Sequence, residues 1–459
     1  MTFLNSEYLL SNTTAMQLYD KIKDLPIIDA HNHADIKEIY ENKNYDDIWH
    51  VECATDHYVW EVLRKRGVDE KYITGNASNY EKWMELSHIF DETVGNPVYE
   101  WVHLDLRRRF SIYDRINAET GQQIWDKTKE LLAKNQMRPR NLLKAMNIHV
   151  MCTTDDPIDS LEYHQKLNDI PEMTNMIRPT FRPDKAMNIF KPDWKKYINK
   201  LAKRVNSDIL SIEDLVDALQ QTHDFFAEHG CHASDHGVET PYAYNTSEKT
   251  ANDAFQTAIK DKKITKKQEI AFCSYILNKL AEMDMKKGWV FQLHIGAVRD
   301  VRDSISNNIG ADAGGDISNH TTDIVTPLKD LLNNVDNSLE IILYCLEPHH
   351  QATLATLSRA FGEKVSLGSV WWLNDTPVGM KRQLEYICSV DVLMNFAGMV
   401  SDSRKILSYG SRTEMFRRVL ADVIGKMVEQ GQIPLDLAEK TVTYLSYKRQ
   451  KELFNFCDI

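Results

Sequence analysis

Short apolar, β-branched runs bounded by polar turn residues recur along the chain at residues 26–30, 148–153, 176–181, 231–234, 289–293, 340–345, 364–370 and 393–399. Runs of this length without polar alternation are the pattern of strands buried on both faces. Most of the stretches between them carry helical spacing instead, as at 212–229, where Gly230 stands in the position of a C-terminal cap. Strands alternating with helices predict a mainly parallel sheet, and eight of them predict an α/β fold of the (β/α)8 TIM-like barrel type.

A minimal barrel of this kind takes ~250 residues, whereas the chain has 459, so the surplus must lie in insertions. The largest runs from 35 to 147, and within it 80–90, 124–132 and 140–146 read as helices. No repeat, low-complexity tract or Pro/Ser-rich linker divides the chain. Residues 1–459 are therefore expected to form one barrel domain, with 35–147 a mainly helical insertion between the first two strands.

Barrels of this type place their chemistry at the C-terminal ends of the strands. The first run leads into His31-Asn32-His33, and alternate residues of an extended chain point the same way, which aims both imidazoles at one point. Such a pair suits one divalent metal: zinc, or alternatively manganese or iron. The last run ends in Ser401-Asp402-Ser403-Arg404. In a closed barrel strand eight lies beside strand one, so Asp402 can complete the cation site or accept a proton. The fifth run ends in His294, a third ligand or a donor to substrate, with Arg299 shortly after. Arg182 after the third run and Arg404 can each grip a carboxylate with two parallel hydrogen bonds. Asp235 and His236 after the fourth run, and Trp371 to Asp375 after the seventh, read as binding surface, while Asp155-Asp156 before Pro157 reads as a helix-start cap.

The charge balance, 55 Lys and Arg against 67 Asp and Glu, is net −12 with the basic residues scattered, so neither nucleic acid nor an anionic membrane is an expected partner. Seven cysteines without a C-x-x-C pair point to free thiols in a reducing compartment. Residues 1–20 show no basic segment leading into an apolar stretch, and nothing approaches the ~18 consecutive apolar residues of a membrane span. The expectation is a cytoplasmic homo-oligomer acting on a small molecule.

Several blocks carry a resemblance that spacing alone does not supply. They are D-A-H-N-H at 29–33, D-H-Y-V-W at 56–60, G-N-P-V-Y-E-W-V-H-L-D-L-R-R at 95–108, T-T-D-D-P-I-D-S-L-E-Y-H at 153–164, R-P-D-K-A at 182–186, H-G-C-H-A-S-D-H at 229–236, H-I-G-A-V-R at 294–299, W-W-L-N-D at 371–375 and S-D-S-R-K-I-L-S-Y at 401–409. Taken together the chain resembles the uronate (glucuronate) isomerases of the amidohydrolase superfamily, nearly end to end. The resemblance implies interconversion of D-glucuronate with D-fructuronate and of D-galacturonate with D-tagaturonate. It also implies His31, His33 and Asp402 as metal ligands, and Tyr58, His57, Arg182 and Arg404 as substrate and proton-transfer residues, with Asp235 and His294 close by. With Arg299 and Trp371 from the strand ends, these are the expected site residues. A two-metal hydrolase with a carboxylated lysine after strand four fits less well, since that region, H-A-S-D-H-G, has no lysine.

Overall fold

The computed structural model describes residues 3–457. Its strands are β1 (Ile27–Asp29), β2 (Ile148–Cys152), β3 (Ile177–Arg178), β4 (Ala233–Val238), β5 (Val290–Ile295), β6 (Glu340–Cys345) and β7 (Val365–Leu367). Every ladder is parallel, in the orders β1-β2-β3 and β4-β5-β6-β7. All residues of β5 are buried, as parallel strands covered on both faces require.

Hydrogen bonds carry the ring across both gaps. The Phe181 N–H donates to the Ala233 carbonyl at 3.2 Å and the Asp235 N–H to the Phe181 carbonyl at 3.0 Å, joining β3 to β4. On the other side the Ala397 N–H reaches the Leu367 carbonyl at 2.9 Å, while the Asp402 N–H reaches His31 at 3.1 Å and the His33 N–H reaches Ser403 at 2.9 Å. An extended segment at 396–403 therefore stands between β7 and β1.

That segment is where the structure departs most from the expected strand at 393–399. Leu393–Asn395 is a 3-10 turn with Met394 exposed. Beyond it, Gly398 at φ +96° and Asp402 at φ +49° interrupt the extended backbone. Gly398 is also pressed against Gln450, whose Cγ would lie 2.6 Å from an added Cβ. Side chains complete the seam: the Asp29 carboxylate accepts the Ser401 N–H at 2.8 Å and the Ser401 hydroxyl at 2.5 Å. β4 and β5 run past their expected ends to take in Asp235, His236 and His294, where the buried His236 bonds Ser234 at 2.8 Å and the buried His294 bonds Asp235 at 2.6 Å across the two strands. β3 is shorter than the run at 176–181.

The helix Ile212–Glu228 follows its pattern closely. Ser211 and Asp214 form a capping box, Ile212, Leu215, Leu219 and Phe226 face inward, and Gly230 takes φ +79°. The span 35–147 holds the helices Ile36–Glu41, Ile48–Glu52, His57–Lys65, Asn79–Ile89, Pro97–Phe110, Gly121–Leu132 and Pro139–Ala145 and no strand. Trp83, Phe90 and Trp101 fill its interior. Among the described residues no helix is long and apolar enough to cross a membrane.

A buried ion cluster ties these helices to the seam. Lys405, two residues beyond Ser403, places its ammonium 2.6 Å from Glu52 and 3.1 Å from Asp56, with all three side chains shielded from solvent. Burial disfavours the Lys405 charge, but Glu52, Asp56 and Asp105 outweigh it and hold the ammonium above its ordinary range. Replacing Lys405 by Met strands these carboxylates without a counter-charge, and should lower the unfolding free energy in urea by about 3–5 kcal/mol; a change near zero would show that the cluster does not anchor the insertion.

Candidate active site

β1 ends at Asp29, and the next residues turn inward. Asn32 is pinned by its N–H to the Cys152 carbonyl at 3.0 Å and by its side-chain amide to Asp29 at 3.2 Å. On either side of it, His31 Nε2 lies 3.0 Å and His33 Nε2 3.2 Å from the same oxygen, Asp402 Oδ1. Asp402 reaches them because it adopts the left-handed region, which Asp tolerates better than most residues, directly after the serine held by Asp29. One ligand atom from each of His31, His33 and Asp402 falls within 4.8 Å of the others.

The second nitrogen of His31 looks the other way, with Nδ1 3.4 Å from Asp235 Oδ2. Asp235 Oδ1 in turn bonds His294 Nδ1 at 2.6 Å, and the His294 ring lies flat on Tyr344 with centroids 4.3 Å apart. Among the described residues His31 Nδ1 and His294 Nε2 are buried without a hydrogen-bond partner, and Asp235 Oδ2 beside them has ion-pair contacts only, with Arg182 Nη1 at 3.2 Å and His31 Nδ1 at 3.4 Å. Buried polar atoms normally find partners, so two ring nitrogens left over beside a buried carboxylate fit a metal ion. His31, Asp235 and His294 form a second ligand-like group beside the first.

The electrostatics agree with that fit. Burial opposes ionisation of Asp402, but its bonds to His31 and His33 outweigh it and hold the carboxyl well below its ordinary range. Burial likewise opposes charge on Asp235, where Arg182, His294 and His31 prevail. Burial pushes His294 down to about 4 and His33 below its usual value, favouring the neutral imidazole that ligates metals. At His31 burial is overcome by Asp235 and Asp402, which raise its proton affinity. An imidazole between two carboxylates is a position that a cation relieves.

Above this floor lies a cavity of about 320 Å³ lined by His33, His57, Arg182, Arg299, Trp371, Trp372, Asp402 and Arg404, among others. Its size lies near the lower end of small-ligand pockets. Arg182 is already committed: its Nε donates to Asp184 at 2.7 Å and its Nη1 lies 3.2 Å from Asp235. Gly237 permits this, because a Cβ there would stand 2.2 Å from Arg182 Nη2. Arg404 has a looser neighbour, Asp312 at 3.6 Å. Arg299 bonds Asp316 at 2.9 Å and lays its guanidinium over Trp372 at 4.8 Å. Trp371 meets His294 edge-on at 4.7 Å, and among the described residues the indole N–H groups of both tryptophans are buried without a hydrogen-bond partner.

His57 and Tyr58 open the helix His57–Lys65, capped by Asp56, which accepts the Tyr58 N–H at 3.0 Å. Their rings stack at 5.2 Å, and His57 lines the cavity while Tyr58 lies beside it. Burial pushes His57 down to about 4, so its ring is neutral. Asp155 is not the helix cap expected of it: no helix follows until Glu162, and its carboxyl bonds Thr153 at 2.7 Å within the cavity wall.

Sequence reasoning missed Arg412, which pairs with Asp375. Its signal was slight: it lies three positions past the block ending at Tyr409, inside the helix Ser408–Glu429. Asp312 and Asp316, in a long loop after β5, carried no recognisable pattern.

The glucuronate isomerase family model matches residues 1–454. The uronate isomerase of Thermotoga neapolitana is 49% identical across 98% of this chain and 99% of its own. The crystal structure of uronate isomerase from Thermotoga maritima, 47% identical, superposes with a TM-score of 0.97 over 99% of this chain and 100% of that one. The glucuronate isomerase from Caulobacter crescentus, 26% identical, gives 0.95 over 99% and 98%. A family model matched over residues 1–454 and a relative 49% identical along nearly its whole length place the chain in the uronate (glucuronate) isomerase family.

Proposed function

We propose that this uronate isomerase works at the cavity above His31, His33 and Asp402, as one barrel domain in which 35–147 is an insertion. It interconverts D-glucuronate with D-fructuronate, and D-galacturonate with D-tagaturonate, in hexuronate breakdown. The observation that carries the assignment of the site is the meeting of His31, His33 and Asp402 at the floor of a cavity that Arg404 and two tryptophans border.

An aldose-to-ketose step moves one proton from C2 to C1 and another between the two oxygens, so it needs a base, a charge stabiliser and a hydroxyl shuttle. His31, His33 and Asp402 would hold one divalent ion, zinc in our reading, with His294 and Asp235 orienting His31. When bound, that ion supplies Lewis acidity toward the substrate carboxylate and a neighbouring hydroxyl. Arg404 takes the remaining carboxylate charge, and Arg182, anchored by Asp184 and Asp235, presents positive charge from a fixed position. His57, Arg299 and the Trp371 indole N–H meet the sugar hydroxyls. Tyr58 and Asp402 carry the protons through a cis-enediol(ate).

Free cysteines at every described position support a reducing, cytoplasmic setting. Exposed Val378, Tyr386, Val392 and Met394, on or beside the helix Pro377–Val390, support a homo-oligomer.

A coupled assay on D-glucuronate and D-galacturonate should show turnover that chelator abolishes and added zinc or manganese restores; turnover indifferent to chelator would remove the ion from the reaction. His33→Ala should lose most of the metal measured per chain by mass spectrometry, and turnover should fall by about 100-fold or more; full metal content in the variant would dissociate His33 from the centre. In D₂O the ketose product should carry solvent deuterium at C1, whereas complete retention of protium would establish a hydride shift instead.

A further inference from the structure

Tyr58 does not stand alone. Its hydroxyl donates to Asp375 Oδ1 at 2.6 Å and accepts the Leu373 N–H at 2.8 Å. A phenol has one proton and two lone pairs, so one lone pair is left over. The other oxygen of Asp375 pairs with Arg412, whose Nη1 also reaches the Ser401 carbonyl at 3.3 Å, next to Asp402. Arg412 is fixed in turn by lying over the Trp101 ring at 4.0 Å and the Tyr58 ring at 5.4 Å. Asp375 and Arg412 are only 2% and 3% exposed, so this ion pair is kept in a low-dielectric interior at a desolvation cost that mere surface packing does not require.

The arrangement solves a chemical problem. Burial and the Asp375 charge push the Tyr58 hydroxyl well above its ordinary range, so it stays protonated. A neutral phenol can accept a proton at its oxygen only if its own proton leaves at the same time. We propose that Asp375, held by Arg412, is the proton acceptor behind Tyr58, and that the pair acts as one relay. This rests on the reading of Tyr58 as a proton carrier. As the substrate C2–H bond breaks, its electron pair moves into the C1–C2 bond and the C1 oxygen takes the negative charge. The proton goes to the Tyr58 oxygen, and the Tyr58 proton goes to Asp375 Oδ1, which becomes a neutral carboxylic acid. The hydroxyl proton then passes from O2 to O1 by way of Asp402, the O2 electron pair forms the C2 carbonyl, and the C1–C2 electron pair takes a proton at C1 from Tyr58 as Asp375 Oδ1 returns its own to the phenol, restoring the carboxylate. Arg412 positions Asp375 and keeps it ionised between turnovers.

Asparagine at 375 can still accept the Tyr58 hydrogen bond but cannot store a proton. Four variants are compared with the metal-loaded wild type: Tyr58→Phe, Asp375→Asn, Tyr58→Phe/Asp375→Asn and Asp375→Asn/Arg412→Met, the last removing both buried charges in case the single asparagine variant does not fold. The readouts are kcat, KM and calorimetric binding of a six-carbon sugar diacid that cannot isomerise. The relay predicts a loss of kcat of about 10²–10⁴-fold in each, with diacid affinity held within about threefold. It also predicts that Tyr58→Phe/Asp375→Asn is no slower than Tyr58→Phe alone, since both act through one route. A slow Tyr58→Phe beside asparagine variants of wild-type kcat would overturn the relay and leave Tyr58 in place. Asparagine variants that lose diacid binding in proportion to kcat would reduce Asp375 to shaping the cavity. Wild-type turnover in Tyr58→Phe would overturn the reading of Tyr58 itself.

Discussion

The seam between the first and last segments of the ring is the constraint on which the site depends. Asp29 gives one carboxylate oxygen to the Ser401 N–H and the other to the Ser401 hydroxyl, while backbone bonds link His31 to Asp402 and Ser403 to His33. These bonds hold residues 371 positions apart in register, which puts Asp402 Oδ1 within reach of both imidazoles. The seam is built from a buried carboxylate and a few backbone bonds rather than a long ladder. That construction leaves Asp402 free to adopt a left-handed conformation that a regular strand would forbid.

A second level of organisation controls charge. Asp235 sits at the centre of it, touching Arg182, His31 and His294, so the negative charge beside the proposed metal ligands is already balanced by these neighbours. Arg182 is thereby a fixed electrostatic element, whereas Arg404, 31% exposed at its side chain and 3.6 Å from Asp312, is the arginine proposed to receive an incoming acid. Groups held in place before a ligand arrives need little reorganisation when charge develops beside them.

The helical insertion serves this centre from outside the barrel. Lys405 grips Glu52 and Asp56, and Asp56 in turn caps the helix that opens with His57 and Tyr58. A single buried ammonium thus couples the loop after Asp402 to the position of two side chains more than 340 residues earlier in sequence. The same helical layer supplies Trp101, which backs Arg412.

Hydrophobic period and turn chemistry are local, so the order of strands and helices, the extent of the Ile212–Glu228 helix and the placing of His31, His33, His294 and Asp402 near strand ends were legible in the chain itself. The blocks around Tyr58 and Arg404 added the family. Other features were not legible. The eighth run reads as a strand yet begins as an exposed turn, because closure there is carried by Asp29 and Ser401 rather than by pairing propensity. Asp155 reads as a cap yet is a buried member of the cavity wall. Which arginine is committed and which is available, and the link of Tyr58 to Asp375 across 317 positions, were decided only by the tertiary structure. Such contacts depend on ring closure and on the direction each side chain takes once buried, and neither quantity is written in a neighbouring residue.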